Sequence, residues 1–156
     1  QSQAFDPFIA DLCEGQGVSL RECLEHSFCL SADVTACYDP NFASVYDKRN
    51  SSLINRGVGL CKYTGSRGKA GASDASAEVM GYIRGVLDQA GVLWHVAELG
   101  KVDVGGGGTV AVYMANRNID TVDAGVSVLG MHAPFEVTGK LDCYMSYRSM
   151  KAVFEQ

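Results

Sequence analysis

The sequence lacks the features of several protein classes. Its 156 residues contain no apolar run near the roughly 20 residues that a membrane span needs. It has no excess of positive charge, since the formal net charge is −5, so electrostatics favours neither nucleic acid nor an anionic membrane as a partner. Only 3 residues are proline and 47% are hydrophobic, which excludes wholesale disorder. We therefore expect one soluble globular domain.

The sequence also lacks a Cys-x-x-Cys motif, although it has six cysteines. A chain of this size and apolarity does not need disulfides, and no export signal is visible at its start. Thiolate zinc sites need closely spaced Cys and His pairs, and these are absent. We therefore predict buried free thiols and a cytoplasmic location.

Helix-like and strand-like segments alternate along the chain, which is typical of α/β layering. Strands are predicted over 27–32, 57–63, 92–97 and 119–129, and helices over 8–26 (broken at 15–17), from Ser73 or Asp74 to Gly91, 109–116 and 140–154. Residues 38–55 and 64–69 are predicted to be loops. The predicted fold is a mixed or mostly parallel β-sheet flanked by helices on both faces, with its chemistry in loops beyond the strand ends.

Two polar residues end predicted strands. Asp33 follows the apolar run Phe28-Cys29-Leu30, and His132 follows the strand over 119–129. Taken alone, Asp33 is more often a turn cap and His132 more often a structural residue. Together, a carboxylate and an imidazole suit zinc, manganese or cobalt, but two ligands are too few for a complete site.

Two further features allow more than one interpretation. The glycine run Gly105–Gly108, with Gly106 and Gly107 at its centre, fits a phosphate or nucleotide site, a tight turn, or the backbone wall of a substrate pocket. It matches neither common nucleotide-binding motif. Lys62 is either a surface lysine or an anion-binding group that faces a cleft. His26 and His95 are expected to be structural, and Glu98 and Glu136 to be caps or surface pairs.

Five blocks between Phe28 and Phe154 carry a family resemblance. In order they are Ser31-Ala32-Asp33, Tyr38-Asp39-Pro40-Asn41, Lys62-Tyr63-Thr64-Gly65-Ser66-Arg67-Gly68-Lys69, Glu98-Leu99-Gly100-Lys101-Val102-Asp103 with the glycine run, and Met131-His132-Ala133-Pro134-Phe135-Glu136. Together they resemble the C-terminal part of the aspartyl aminopeptidase family, whose members are dinuclear zinc aminopeptidases that form tetrahedral dodecamers.

The resemblance implies a role for each matching residue. Asp33 would be a terminal ligand of one metal ion and His132 of the other. Lys62 would face the pocket for the first residue of the substrate, where a positive charge recognises an acidic side chain. The loop with Gly106 and Gly107 would lie beside the active site and contribute to substrate binding. The cofactor would be two zinc ions, with cobalt or manganese as alternatives. The partners would be a peptide substrate, the rest of the same enzyme and further copies, from dimer to dodecamer, without nucleic acid or membrane.

The sequence also departs from the family pattern. The family needs an earlier histidine ligand, a bridging aspartate and an adjacent glutamate pair, and no Glu-Glu pair occurs here. Position 39 is Asp where some members have histidine. The inserted dimerisation domain has no counterpart either. Residues 1–156 are therefore predicted to be a C-terminal portion of the catalytic domain, inactive alone and without the general base. The alternatives are a non-catalytic assembly module and anion or nucleotide binding at the glycine run.

Overall fold

The computed structural model describes residues 2–67, 70–101 and 103–156. Gly68, Lys69 and Val102, which belong to the blocks above, lie outside the described residues. The helices are α1 (Phe5–Glu14), α2 (Leu20–Glu25), α3 (Ala77–Gln89), α4 (Ala111–Ala115) and α5 (Lys140–Phe154), with a 3-10 helix over Pro40–Val45. The strands are β1 (Phe28–Ser31), β2 (Val34–Ala36), β3 (Val58–Cys61), β4 (Tyr63–Ser66), β5 (Ala70–Asp74), β6 (Trp94–Val96), β7 (Gly106–Gly107), β8 (Asp120–Leu129) and β9 (Val137–Thr138).

The ten-residue strand β8 organises the main sheet, whose strand order is β1-β8-β3-β6. The strands β1 and β2 run parallel to β8 and follow one another along the same side of it. The strand β3 runs antiparallel to β8 and parallel to β6. The short strand β9 also pairs antiparallel with β8. The predicted mixed sheet is therefore confirmed, and the antiparallel pairing of β3 with β8 places the ends of these two strands at opposite ends of the sheet.

The two faces of the sheet differ in character. Apolar side chains on one face pack against α3 and α5 to form the main core, which contains Val58, Leu60, Ala75, Val79, Ile83, Leu87, Val92, Val122, Ala124 and Met145. The alternate residues of β8 point to the other face, where Ser127 contacts Ser52 and Asp123 is hydrogen-bonded to Thr109, just before α4. Helices thus flank both faces of the sheet, but the face next to α4 consists of small and polar side chains.

The structure corrects the predicted loop over 64–69 and the start of the next helix. Described residues on both sides of Gly68 and Lys69 form the antiparallel hairpin β4–β5. Glycine and serine in these strands gave no alternating hydrophobic pattern, so the sequence signal for strands was missing. The cap of α3 is Ser76, whose Oγ accepts a hydrogen bond from Val79 N at 3.1 Å, because Ser73 and Asp74 belong to β5.

The start of α2 and two further predictions about local structure have clear outcomes. Ser19 caps α2 after the predicted break, since its Oγ accepts a hydrogen bond from Glu22 N at 3.2 Å. His95 is structural, because its ring contacts Leu53 N and Arg56 O and burial lowers its pKa. All six cysteines are free thiols, as predicted, but only Cys13, Cys37 and Cys61 are buried. Cys23 and Cys29 are half-buried and Cys143 is exposed on α5, so the prediction of burial is wrong for these three. Within the described ranges, no helix is both long and apolar enough to cross a membrane.

A buried carboxylate fixes the turn that leads into β3. Asp142, in the first turn of α5, is 0% exposed, and its two oxygens accept hydrogen bonds from Asn55 N and Gly57 N, both at 2.7 Å. Both of those residues have positive φ, 60° and 81°. The Asp142 side chain therefore stabilises an uncommon backbone conformation and ties α5 to the start of the central sheet.

We expect Asp142→Asn to lower the free energy of unfolding by about 2–4 kcal/mol, because the N–H groups of Asn55 and Gly57 lose a charged acceptor that is itself buried. Urea denaturation measures the change. The matched control is Asp120→Asn, an exposed position at the start of β8, which should stay within about 0.5 kcal/mol of the parent. Equal stability losses in the two variants would contradict this role for Asp142.

Candidate functional site

Asp33 and His132 line one cavity of about 370 Å³, although 98 residues separate them in the sequence. The cavity lies between the break separating β1 from β2, the turn after β8, and the glycine run. Its other lining residues are Val34, Ala36, Val45, Tyr46, Leu99, Gly100, Gly105, Gly106, Gly107, Gly108, Thr109 and Met131. The structure thus brings together the two candidate metal ligands and the two glycines that the sequence singled out.

Asp33 reaches the cavity because the backbone bends between β1 and β2. Asp33 Oδ1 accepts a hydrogen bond from Val34 N at 2.8 Å, which stabilises the bend and leaves the side chain exposed. Opposite the bend, a Cβ atom on Gly125 of β8 would lie only 2.4 Å from Asp33 O. Position 125 must therefore lack a side chain for the Asp33 backbone to take this course.

His132 stands in a strained turn after β8. Its φ is 68°, a left-handed conformation that is uncommon for residues other than glycine. Ala133 N donates to Gly130 O at 2.8 Å across the turn, and His132 N donates to Glu136 Oε1 at 2.6 Å. Glu136 therefore acts as a cap for the backbone of this turn. Such strain is concentrated at functional sites, and here it presents an exposed imidazole to the cavity.

The described residues do not by themselves form a metal site. Within 2–67, 70–101 and 103–156, no three His, Cys, Asp or Glu side chains lie close enough together to hold a metal ion. The pair Asp33 and His132 offers one carboxylate and one imidazole, which are donors that zinc accepts. The donor set fits zinc in kind, and further ligands are required to complete a site.

The glycine run forms a wall of the cavity from its backbone. Gly106 and Gly107 pair with β4, and Gly106 has φ 113°, with Gly65 O only 2.2 Å from where a Cβ would stand. The helix α4 begins at Ala111, later than the predicted Thr109, and has five residues. The glycines are therefore used for close backbone pairing, and the phosphate interpretation gains no support from a helix N-terminus.

Lys62 does not line this cavity. It follows β3, whose end lies opposite Asp123 of β8, whereas His132 follows the far end of β8. Lys62 Nζ is 2.5 Å from Asp74 Oδ1 and 2.8 Å from Ala75 O, so the ammonium is held at the β5 strand. Its role in substrate binding stays a prediction, and it would require the Lys62–Asp74 pair to open.

Asp39 takes the position where some family members have histidine, and here it has a local structural use. Its Oδ1 accepts a hydrogen bond from Asn41 N at 2.9 Å, which caps the 3-10 helix. The side chain does not line the cavity, although Val45 and Tyr46 at the end of the same segment do. The segment thus contributes apolar lining in this chain.

Asp123 is a buried polar residue that our sequence reasoning missed. It is 5% exposed, and burial together with the nearby charge of Asp33 raises the pKa of its carboxyl, while the hydroxyls of Ser31, Thr109 and Thr64 oppose that rise. The available signal was an aspartate between Val122 and Ala124 in a strand that was predicted to be buried. Asp123 lies beside Ser31 of β1, the strand that precedes Asp33, and its carboxylate is bonded to Thr109 at the end of the glycine run.

The fold and the cavity define the class of protein: an α/β protein whose loops beside a mixed sheet enclose a cavity, where proteins of this class commonly bind ligands. Comparison with known proteins narrows this class. Residues 5–154 match the family described as aminopeptidase I zinc metalloprotease (M18). The probable M18 family aminopeptidase 1 of Clostridium acetobutylicum is 45% identical over 148 residues, which are 92% of this chain and 32% of that relative.

Solved structures agree with the sequence match. The crystal structure of an M18 aminopeptidase from Thermotoga maritima has a TM-score of 0.90 and 40% identity, covering 96% of this chain and 34% of that one. A Saccharomyces cerevisiae mApe1 dodecamer, at 23% identity and a TM-score of 0.70, shares the fold over 89% of this chain and 29% of its own. The chain belongs to the M18 family of aminopeptidase I zinc metalloproteases, and it spans about a third of the length of the relatives it matches.

We expect Gly125→Ala to displace the Asp33 backbone and to lower the free energy of unfolding by about 2 kcal/mol, as overpacking does. Chemical denaturation and the amide NMR shifts of Asp33 and Val34 report the two effects. Gly81→Ala is the matched control, because no atom lies within 4 Å of its added Cβ in α3, and it should stabilise the chain by about 0.5–1 kcal/mol. A Gly125→Ala variant as stable as the parent, with unshifted amides, would contradict the close-approach argument.

Proposed function

We propose that this chain is the C-terminal portion of the catalytic domain of a zinc-dependent aminopeptidase that removes N-terminal residues from peptides. The observation that carries the proposal is the shared cavity of Asp33 and His132 in a member of the M18 family. Both side chains are exposed on loops that the sheet positions, which leaves them accessible to ions and substrate.

The two residues have separate roles in this proposal. The Asp33 carboxylate would hold one zinc ion and the His132 imidazole the other. The zinc pair, when bound, supplies Lewis-acid polarisation and an activated water. Asp33 is oriented by its own bond to Val34 N, and His132 by the turn that Glu136 caps, so each ligand is preorganised by local backbone contacts.

The rest of the machinery would come from outside this sequence. A dinuclear site needs more ligands than the described residues bring together, and the sequence has no Glu-Glu pair to provide the general base and a ligand. The proposed partners are accordingly a peptide substrate, the remaining two thirds of the enzyme and further copies of it, in the cytoplasm. The dodecameric fold relative supports the assembly part of the proposal.

An assembly role without catalysis is the second candidate, and the surface of α5 favours it. Tyr144 and Tyr147 stack with ring centroids 6.3 Å apart and are both about half exposed, and Phe154 is 88% exposed. Exposed aromatic groups of this kind are typical of surfaces that associate. The two candidates differ in one respect, because an assembly module does not need the side chains of Asp33 and His132.

We expect the isolated chain to bind Mn²⁺ weakly at the cavity and to hydrolyse no aminoacyl substrate. Manganese avoids competition from the six thiols, since it prefers oxygen and nitrogen ligands. Paramagnetic broadening should be strongest for the amides next to Asp33 and His132, and Asp33→Asn or His132→Ala should reduce it locally. His26→Ala, at an exposed histidine away from this cavity, is the matched control.

The same residues should then decide activity in a complete enzyme. For this test, residues 5–154 replace the matching third of the Thermotoga maritima relative. We expect the hybrid to release a fluorophore from aminoacyl substrates, and Asp33→Asn or His132→Ala to reduce kcat/KM by at least about 100-fold, because both ions must be held. Native-like hydrolysis by the isolated chain, or full activity of the Asp33→Asn hybrid, would overturn the proposal.

A preference for acidic first residues is the finer part of the proposal, and it rests on Lys62. In the hybrid, Lys62→Met should lower the ratio of kcat/KM for Glu-terminated over Leu-terminated substrates by about tenfold, as loss of one charge pair does. Lys151→Met, on the exposed side of α5, is the control and should leave the ratio unchanged. An unchanged ratio in Lys62→Met would remove Lys62 from the substrate pocket and leave it as the partner of Asp74.

A further inference from the structure

A buried carboxylate lies directly behind the cavity, on the polar face of the sheet. Asp123 of β8 is aligned with Ser31 of β1 on one side and with Cys61 of β3 on the other. Its neighbours along β8, Val122 and Ala124, point to the apolar core on the opposite face. The carboxylate is thus enclosed among hydroxyl and thiol groups in the centre of the sheet, where an apolar residue would pack at lower cost.

One oxygen of this carboxylate holds the end of the glycine run. Thr109 Oγ1 donates to Asp123 Oδ2 at 3.0 Å, and the same Thr109 oxygen accepts from Ala111 N at 3.3 Å. Thr64 Oγ1 lies 3.5 Å from Thr109 Oγ1. Thr109 itself lines the cavity. The hydroxyl of Thr109 therefore joins the glycine run, the first residue of α4 and the central strand at a single point.

The other side of the carboxylate faces the strand that leads to Asp33. Ser31 is the register partner of Asp123 and precedes Asp33 by two residues. Ser31 Oγ and Asp123 Oδ1 are the two buried side-chain atoms that lack a hydrogen-bond partner among the described residues. The carboxylate thus lies between the two cavity walls, with Oδ2 bonded to Thr109 on the glycine side and with Ser31 of β1 beside it on the Asp33 side.

We propose that Asp123 is a positioning residue that fixes the glycine wall of the cavity relative to Asp33 by accepting the hydrogen bond of Thr109. Gly105 to Gly108 have no side chains of their own to anchor them. The run is held by its pairing with β4, by the backbone hydrogen bonds of Gly105 with Arg67 and Lys101, and by this contact at its other end. The consequence for substrate binding rests on the proposed aminopeptidase function, whereas the effect on the loop does not.

Hydrogen exchange of the isolated chain, followed by mass spectrometry, tests the effect on the loop. Thr109→Val keeps the side-chain shape and removes the donor, and it should speed exchange of residues 103–112 by about tenfold or more. Thr109→Ser keeps the donor and should restore the parent rate. The double variant Asp123→Asn/Thr109→Val should exchange at the same rate in this loop as Thr109→Val alone, because both substitutions remove the same Thr109–Asp123 hydrogen bond.

The control for this experiment is Thr121→Val, the same substitution at a buried threonine of β8 whose hydroxyl donates to Ile119 O. It should leave exchange of the loop unchanged. Loop exchange in Thr109→Val within twofold of the parent would overturn the proposal. So would an increase that is spread equally over α3 and α5, since that pattern reports general destabilisation.

The hybrid enzyme adds a readout that a purely structural contact would not move. Thr109→Val should raise KM several-fold with kcat within about twofold, and Thr109→Ser should return KM to the parent value. A lowered kcat at unchanged KM would overturn the assignment of this wall to substrate positioning. A hybrid without any activity counts against the proposed function only, because the exchange rates of the isolated chain decide the role of Asp123 independently.

Discussion

The candidate site depends on the close approach of two backbones at Gly125. The segment between β1 and β2, which contains Asp33, can bend across β8 only because position 125 has no side chain. This bend directs the Asp33 carboxylate out of the sheet. A regular strand would leave Asp33 in register along the sheet, with its side chain directed by the pleat. The interruption of pairing with β8 between β1 and β2 is therefore the structural origin of one side of the cavity.

A second glycine on the polar face of the sheet also permits a close approach of the chain. Gly59 of β3 aligns with Gly125, and a Cβ at position 59 would lie 2.9 Å from the Thr35 side chain. Two glycines opposite one another thus make room for the chain that crosses them. Thr35 then contacts Cys61 Sγ at 3.6 Å, and burial raises the pKa of that thiol to about 12, which keeps it neutral and unreactive. This face is held by small residues and hydroxyl contacts instead of aliphatic packing.

The parts of the fold that follow from hydrophobic periodicity were predictable from the sequence. The helix α5 has the predicted bounds, and β8 differs from its prediction by one residue at its start. The hairpin β4–β5 was not predictable, because its strands consist largely of Gly, Ser, Thr and Ala and are fixed by backbone pairing. Asp33 and His132 could be predicted together because each follows an apolar strand. Asp123 could not, since its importance arises from contacts with Thr109 and Ser31 that are remote in sequence.

The antiparallel step between β3 and β8 explains why Lys62 stands apart from the other candidate residues. In a wholly parallel sheet, the ends of β3 and β8 would share one rim, and Lys62 would lie beside His132. Here the end of β3 is aligned with Asp123, near the start of β8, and Lys62 is paired with Asp74 of the following hairpin. An acidic substrate side chain would thus have to compete with the Asp74 carboxylate for the ammonium. That competition exchanges one carboxylate partner for another, so it costs little if the substrate enters from the hairpin side. In the proposed function, recognition of charge by Lys62 would then be a property of the hairpin β4–β5, whereas metal binding would be a property of the loops around β8.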